Sequence, residues 1–244
     1  MKIASITGVS KSPEILVTKS IGSLVLALTL KPSLLADEKI TIYIERGNGS
    51  NVILANKVKL KDFILASTYG NESIQSQADA SYARNTIALC ELSESGSIYL
   101  AEKESIKIQL EDLDTDETYD LYGIEEPLQS NLVYHFEQKT VGSEEFNKKV
   151  DVSGFDLAIV TLNDTISDIS YHFSNGQVVK YLPFELLTMS RDLDPIQAIE
   201  SDGKVIQNLS GRLSLPLVEV NAIEINKSQG EIVNFVVRQL KNVQ

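Results

Sequence analysis

The sequence predicts an all-β protein built as two tandem eight-stranded jelly-roll β-barrels, each with a short helix in a loop. Three observations predict it. A strand–turn–strand–helix unit occurs twice, short strands follow one another too closely for crossover helices, and 244 residues exceed what one sandwich would use. On this reading residues 1–142 form the first barrel and residues 143–244 the second, with the compositional break at Gly142-Ser-Glu-Glu145.

The first copy of the unit begins at Ile40. Ile40, Ile42 and Ile44 alternate with Thr41, Tyr43 and Glu45, the period-2 pattern of a strand buried on one face. Asn48-Gly49 then supplies residues that tolerate the positive φ angles of a tight hairpin, and Val52-Ile-Leu-Ala55 leads the chain back. Leu60, Phe63 and Ile64 stand at i, i+3 and i+4, the spacing of a short amphipathic helix.

The second copy runs from Ile169-Ser-Tyr-His-Phe-Ser through Asn175-Gly176 to Leu182-Pro-Phe-Glu-Leu-Leu187. Ile42 corresponds to Ile169, Ile44 to Tyr171, Asn48-Gly49 to Asn175-Gly176, Leu60 to Tyr181, Phe63 to Phe184 and Leu65 to Leu186. The drop in offset between turn and helix is that of one shortened connection.

The other elements fit around these units. Glu14–Val17 is a brief apolar piece. Leu24–Leu30 is a strand rather than a leader's apolar core, because it is short and ends at Lys31-Pro32. Strands are expected at Thr86–Leu92, Ser97–Ala101, Ile106–Leu110 and Asn131–Glu137. In the second half they are expected at Val150–Val152, Phe155–Leu162, Gly211–Leu217, Asn221–Ile225 and Ile232–Val237. Leu26-Ala-Leu28 precedes the first unit as Leu157-Ala-Ile159 precedes the second, and Ile223 and Ile225 correspond to Ile106 and Ile108. The polar stretch from Thr68 to Asn85 is an excursion of the kind that makes contacts, and Arg191–Gly203 is a polar connection.

Composition excludes several functions. A net charge of −12 opposes binding to a phosphate backbone, leaving only a small basic patch at Lys57, Lys59 and Lys61. No apolar run is long enough to cross a bilayer as a helix, and the chain reads as soluble. Cys90 is the single cysteine, so no internal disulfide is possible, and its apolar strand makes it core filling.

No catalytic residue, cofactor-binding residue or metal ligand is assigned. His135 and His172 fall opposite large apolar neighbours on strands, where a solvated face is the default, and no nucleophile elbow, P-loop or dinucleotide fingerprint occurs. Zinc lacks ligands. Asp112, Asp114 and Asp116 have the spacing of calcium ligands, but Glu117 stands where the turn glycine belongs and no closing Glu follows, which favours a solvated loop. Paired carboxylates for glycoside chemistry stay open among 34 acids, though the lack of Trp removes the usual sugar platform. Asn71-Glu-Ser73 and Asn163-Asp-Thr165 are triplets expected by chance.

The paired units, Ile42–Phe63 and Ile169–Leu187, resemble the double jelly-roll major capsid proteins of membrane-containing icosahedral viruses, the tectivirus and adenovirus lineage. The chain looks most like the small bacteriophage members of corticoviruses and finnlakeviruses. The resemblance implies a non-enzymatic virion capsid protein, made in the host cytoplasm, without cofactors. It implies pseudo-hexagonal homotrimers that tile an icosahedral shell around an internal membrane. Partners would be neighbouring trimers, penton proteins and minor membrane-associated capsid proteins, with no direct nucleic-acid contact. Long tower loops are absent on this reading, Thr68–Asn85 being the nearest candidate. A vertex or spike protein is a related role. The alternative from another class is a surface or secreted β-sandwich module that binds a glycan or protein. A cupin-like enzyme would need a histidine cluster that two scattered histidines do not supply.

Overall fold

The computed structural model describes residues 1–68, 74–77, 84–161, 163–193, 197–199, 205–207 and 212–243. The first half contains β1 (Lys2–Thr7), β2 (Ile15–Val17), β3 (Ser23–Leu28), β4 (Lys39–Glu45), β5 (Asn51–Lys59), α1 (Leu60–Ser67), β6 (Ile74–Gln77), β7 (Arg84–Glu91), β8 (Ser97–Ile98), β9 (Ser105–Glu111), β10 (Thr118–Ile124) and β11 (Gln129–Ser130). There follow β12 (Leu132–Val141), β13 (Asn147–Asp151), β14 (Leu157–Thr161), β15 (Ile166–Phe173), β16 (Val178–Tyr181), α2 (Pro183–Leu193), β17 (Gln197–Ile199), β18 (Val205–Gln207), β19 (Arg212–Pro216), β20 (Val220–Lys227) and β21 (Val233–Asn242).

These strands make two jelly rolls of one topology. In the first, β1-β10-β3-β7 form one sheet, with β6 added outside β7, and β2-β9-β4-β5 form the other. In the second, β12-β21-β14-β19 face β13-β20-β15-β16. Numbering each module's eight principal strands in chain order, both sheets read first-eighth-third-sixth and second-seventh-fourth-fifth. The helix sits between the fifth and sixth strands in both. Residues 69–73 and 78–83, which carry most of the expected excursion and the Asn71 triplet, lie outside the described residues, as does most of the Arg191–Gly203 connection.

The duplicated unit occupies the same place in each roll, and its register agrees. Ile42 pairs with Ile108 and Ile44 with Ile106; Ile169 pairs with Ile225 and Tyr171 with Ile223. The two turns also share one hydrogen-bond set. Gly49 N–H donates to the Arg46 carbonyl and Arg46 N–H to that of Ser50; Gly176 N–H donates to Phe173 and Phe173 N–H to Gln177. In both, the Asn side chain accepts the N–H two residues on, at 2.9 Å. Only the glycine is left-handed, at φ +82° and +84°. These are three-residue loops closed by a glycine bulge, not two-residue hairpins with both residues left-handed.

Other elements differ from expectation in length or were not foreseen. The strand expected at Ser97–Ala101 is cut to two residues. β1 and β10 were not anticipated at all, because polar residues interrupt them: Asp120 in β10 is buried and is held by Arg84 at 2.5 Å and Ser5 at 2.5 Å. Leu26-Ala-Leu28 and Leu157-Ala-Ile159 do fall on the third strand of each roll, but with opposite faces. Leu26 and Leu28 point into their own barrel, whereas Ala158 points inward and Leu157 and Ile159 point out, toward the first module.

One core therefore spans both halves. Ile40, Ile42, Ile44, Leu24, Leu26 and Phe63 pack in a cluster that also takes in Phe136, Leu157, Ile159 and Val236 of the second module. A separate cluster around Ile169, Ile223, Ile225, Phe235 and Val237 fills the second barrel. Burying each such Ile or Phe stabilises the fold by roughly 1.5–3 kcal/mol. Among the described residues no helix is long and apolar enough to cross a membrane.

Candidate assembly surfaces

The two rolls are joined edge to edge and then clamped. β5 and β12 meet in parallel through one pairing, Ala55 with Phe136, so that two four-stranded sheets run on as one eight-stranded sheet. Side chains bridge where the backbones diverge. Lys59 N–H donates to Gln138 Oε1 at 3.0 Å, and His135 Nδ1 lies 2.8 Å from the Ile53 carbonyl. A carbonyl only accepts, so Nδ1 carries the proton. Burial holds the His135 pKa below its ordinary value.

Helix α1 is the clamp. Leu60 N–H donates to the Glu38 carbonyl, and Thr68 Oγ1 closes the other end on Ile64 at 2.7 Å. Within it, Leu60 and every residue from Asp62 to Ser67 are buried. Phe63 meets Phe136 edge-on, ring centres 4.9 Å apart, an arrangement worth about 0.5–1.5 kcal/mol beyond its area. Asp62 accepts from Arg212 Nε at 2.7 Å, and Arg238 Nη1 donates to the Ala66 carbonyl at 2.8 Å. Arg238 is fixed further by Asp156 at 2.5 Å and by the Tyr134 ring beneath it, 4.8 Å away. Lys61, beside this group, has its pKa pushed down to about 8 by burial first and by Arg212 second. At one end of the joint, Arg46 binds Glu104 and also donates to the Val243 carbonyl.

The sequence reading missed these residues. The available signal was charge where the pattern demanded none: Asp62 inside an apolar helical run, and Arg238 directly after Val236-Val237 on a strand with two covered faces. A charge in such a place is held by a partner or it is not tolerated.

The residues weighed earlier as sites are engaged elsewhere. Asp112 pairs with Lys39 at 2.6 Å, while Asp114 accepts the Asp116 N–H at 3.0 Å, so the three carboxylates do not converge. Among the described residues no three His, Cys, Asp or Glu side chains could share a metal ion. Lys57 and Lys59 pair with Glu111 and Asp37, which neutralises much of the expected basic patch. Asn163 accepts from Thr165 within its own turn. Cys90 is fully buried, and desolvation pushes its pKa up to about 12.

His172 lies on the outer face of the second barrel. Lys149 Nζ stands 3.1 Å from its Nδ1 and Glu224 3.0 Å from its Nε2. The ammonium can only donate, so Nε2–H is the bond to Glu224. Lys149 and His172 line an open groove of about 650 Å³ with Phe173 and Val178. It is a polar network on the barrel's surface.

Similarity to known proteins agrees with this architecture. No protein-family model matches the chain, and no curated protein matches it by sequence. A chain in the atomic structure of Sulfolobus Turreted Icosahedral Virus is similar over 99% of this chain and 90% of that one, with a TM-score of 0.59 and 8% identity. This chain shares its fold with a chain of an icosahedral virus. The major capsid protein P2 from bacteriophage PM2 aligns over 98% of this chain and 94% of its own, at 10% identity and a TM-score of 0.48. The likeness to the icosahedral-virus chain covers 99% of this chain and therefore both of its jelly rolls.

Proposed function

We propose that this double jelly roll is a structural capsid protein. It forms pseudo-hexagonal homotrimers that tile an icosahedral shell around an internal membrane, without enzymatic activity or cofactor. One observation carries the reading: two modules of the same strand order stand side by side, locked by a continuous sheet and a buried helix. A rigid pair of like blocks suits paving, because each block then presents its neighbours with a fixed angle. The fold shared with a chain of an icosahedral virus supports it. The acidic surface supports it as well, since a −12 subunit does not adhere to nucleic acid during assembly. On this reading the protein is made in the host cytoplasm, resides in the virion capsid and meets penton and minor membrane-associated proteins at the shell's edges and underside.

We also place the module boundary before Leu132, ahead of the 142/143 break expected from composition. The support is β12, which pairs with β21 along all ten of its residues but with β5 at only one.

Mass photometry of the purified protein across a concentration series tests the proposal, with negative-stain imaging of any assemblies. Trimers and hexagonal tiles are expected. A monomer at every concentration would overturn it.

A further inference from the structure

The joint inside the chain is a pattern that the chain can repeat between copies. α1 and α2 hold the same position in their modules, yet their outward faces differ. Phe63 on α1 is fully buried against the second module, whereas its sequence counterpart Phe184 on α2 is 65% exposed. Leu182 just before it and Val178 on β16 are also exposed, and Phe184 rims an open groove of about 340 Å³ with Ile166 and Leu187. α2 rests on its own module's β19 and β15, as α1 rests on β7 and β4. Among the described residues it has nothing on its other side. β16, the counterpart of β5, is likewise an open sheet edge.

The complementary surface is on the first module. The outer face of β12-β21-β14-β19 is covered by α1; the equivalent face of β1-β10-β3-β7 is uncovered among the described residues. It carries a row of paired residues, Tyr122–Val25–Leu89, with Ile87 next to it, all at least partly exposed. β1 is the open edge of that sheet, as β12 would be without β5. The chain thus ends at one side in an unused helix and strand edge, and at the other in an unused sheet face and strand edge. These are the two halves of the contact it already makes once internally.

We propose that β16 and α2 of one copy dock on β1 and the outer face of β1-β10-β3-β7 of a second copy. Phe184 takes the place that Phe63 has in the internal joint. The occupant is a second copy because that surface is the same sheet of the same module type that already receives a helix and strand edge of this kind. Such a contact is heterologous, so each copy gives one surface and accepts the other, and repetition gives a closed ring when the rotation per copy is a whole fraction of a turn, as the trimer of the shell-subunit reading requires. This inference rests on the shell-subunit reading and adds to it which faces meet.

The test uses the full chain and three exposed-site variants, Phe184→Asp, Leu89→Asp and, as a control at an exposed residue outside the docking strands and helix, Val218→Asp. Circular dichroism verifies that each is folded. Phe184→Asp and Leu89→Asp should each raise the concentration for half-assembly about 30-fold or more, the loss of a central anchor. Val218→Asp should leave it unchanged. Mixing Phe184→Asp with Leu89→Asp should give a dimer, because one intact surface of each kind survives in the mixture. A trimeric wild type with trimeric Phe184→Asp would overturn the docking surfaces and leave the shell-subunit reading standing. A folded Phe184→Asp monomer that forms no dimer with Leu89→Asp would overturn the pairing of these two faces. A wild type that stays monomeric would overturn both readings.

Discussion

Asp62 has no exposed surface, and its Oδ2 meets no hydrogen-bond partner among the described residues. Its other oxygen takes one bond from Arg212, across the line where the two barrels meet. Desolvating a carboxylate and a guanidinium for one such bond adds little net stability; what it adds is a fixed position, since each charge is tolerable only opposite the other. Removing one member should therefore cost far more than removing both. Asp62→Ala should lower unfolding free energy by about 3–5 kcal/mol, leaving Arg212 without its carboxylate. The double change Asp62→Leu with Arg212→Met should restore most of that loss. Urea unfolding of the three proteins decides it: a double variant as unstable as the single would mean that the pair itself, not its uncompensated half, holds the joint.

At the scale of elements, the duplicated turn is the clearest link between sequence and fold. Gly49 and Gly176 are left-handed and their absent Cβ atoms would meet nothing within 4 Å. Ala at either place would then cost only backbone strain, about 1–2 kcal/mol, and by the same amount in both modules. Matching losses in the denaturation midpoints of Gly49→Ala and Gly176→Ala check the equivalence. A loss confined to one would show that the turns do not serve the same purpose. Alternation at Ile40, Ile42 and Ile44 made the fourth strand of the first roll legible, and the Asn-Gly pair located the turn. Pairing could not be read the same way. The face of Leu157 and Ile159 was not legible, because a strand buried on both sides has no polar face to set its phase. β10 was overlooked because Asp120 and Gly123 break its apolar pattern, and the ion pair that lets Asp120 be buried comes from residues distant in sequence. The joint was illegible for the same reason: α1 reads as an ordinary amphipathic helix, and nothing local says that its second face is covered by the other half of the chain.

For the whole molecule, the consequence of a core that crosses the module boundary is that the first barrel's interior is completed by residues of the second and does not melt apart from it. Phe136, Leu157, Ile159 and Val236 come from the second roll but pack in the first cluster, and α1 would expose Phe63 if the rolls parted. Unfolding should then be one event. Cys90 reports on it, because the thiol is fully buried in the first barrel and its raised pKa keeps it unreactive until that barrel opens. Phe235 lies in the interior of the second barrel with no exposed surface. Phe235→Ala should cost about 3–5 kcal/mol through the cavity it leaves. If opening is global, that loss reaches Cys90 in full, and its labelling under native conditions should speed up by roughly 150- to 4000-fold, since each 1.4 kcal/mol is a factor of ten. If the barrels open separately, labelling of Cys90 should not change while the second barrel loosens. The rate of thiol modification in the variant therefore measures how firmly the joint makes two jelly rolls into one body.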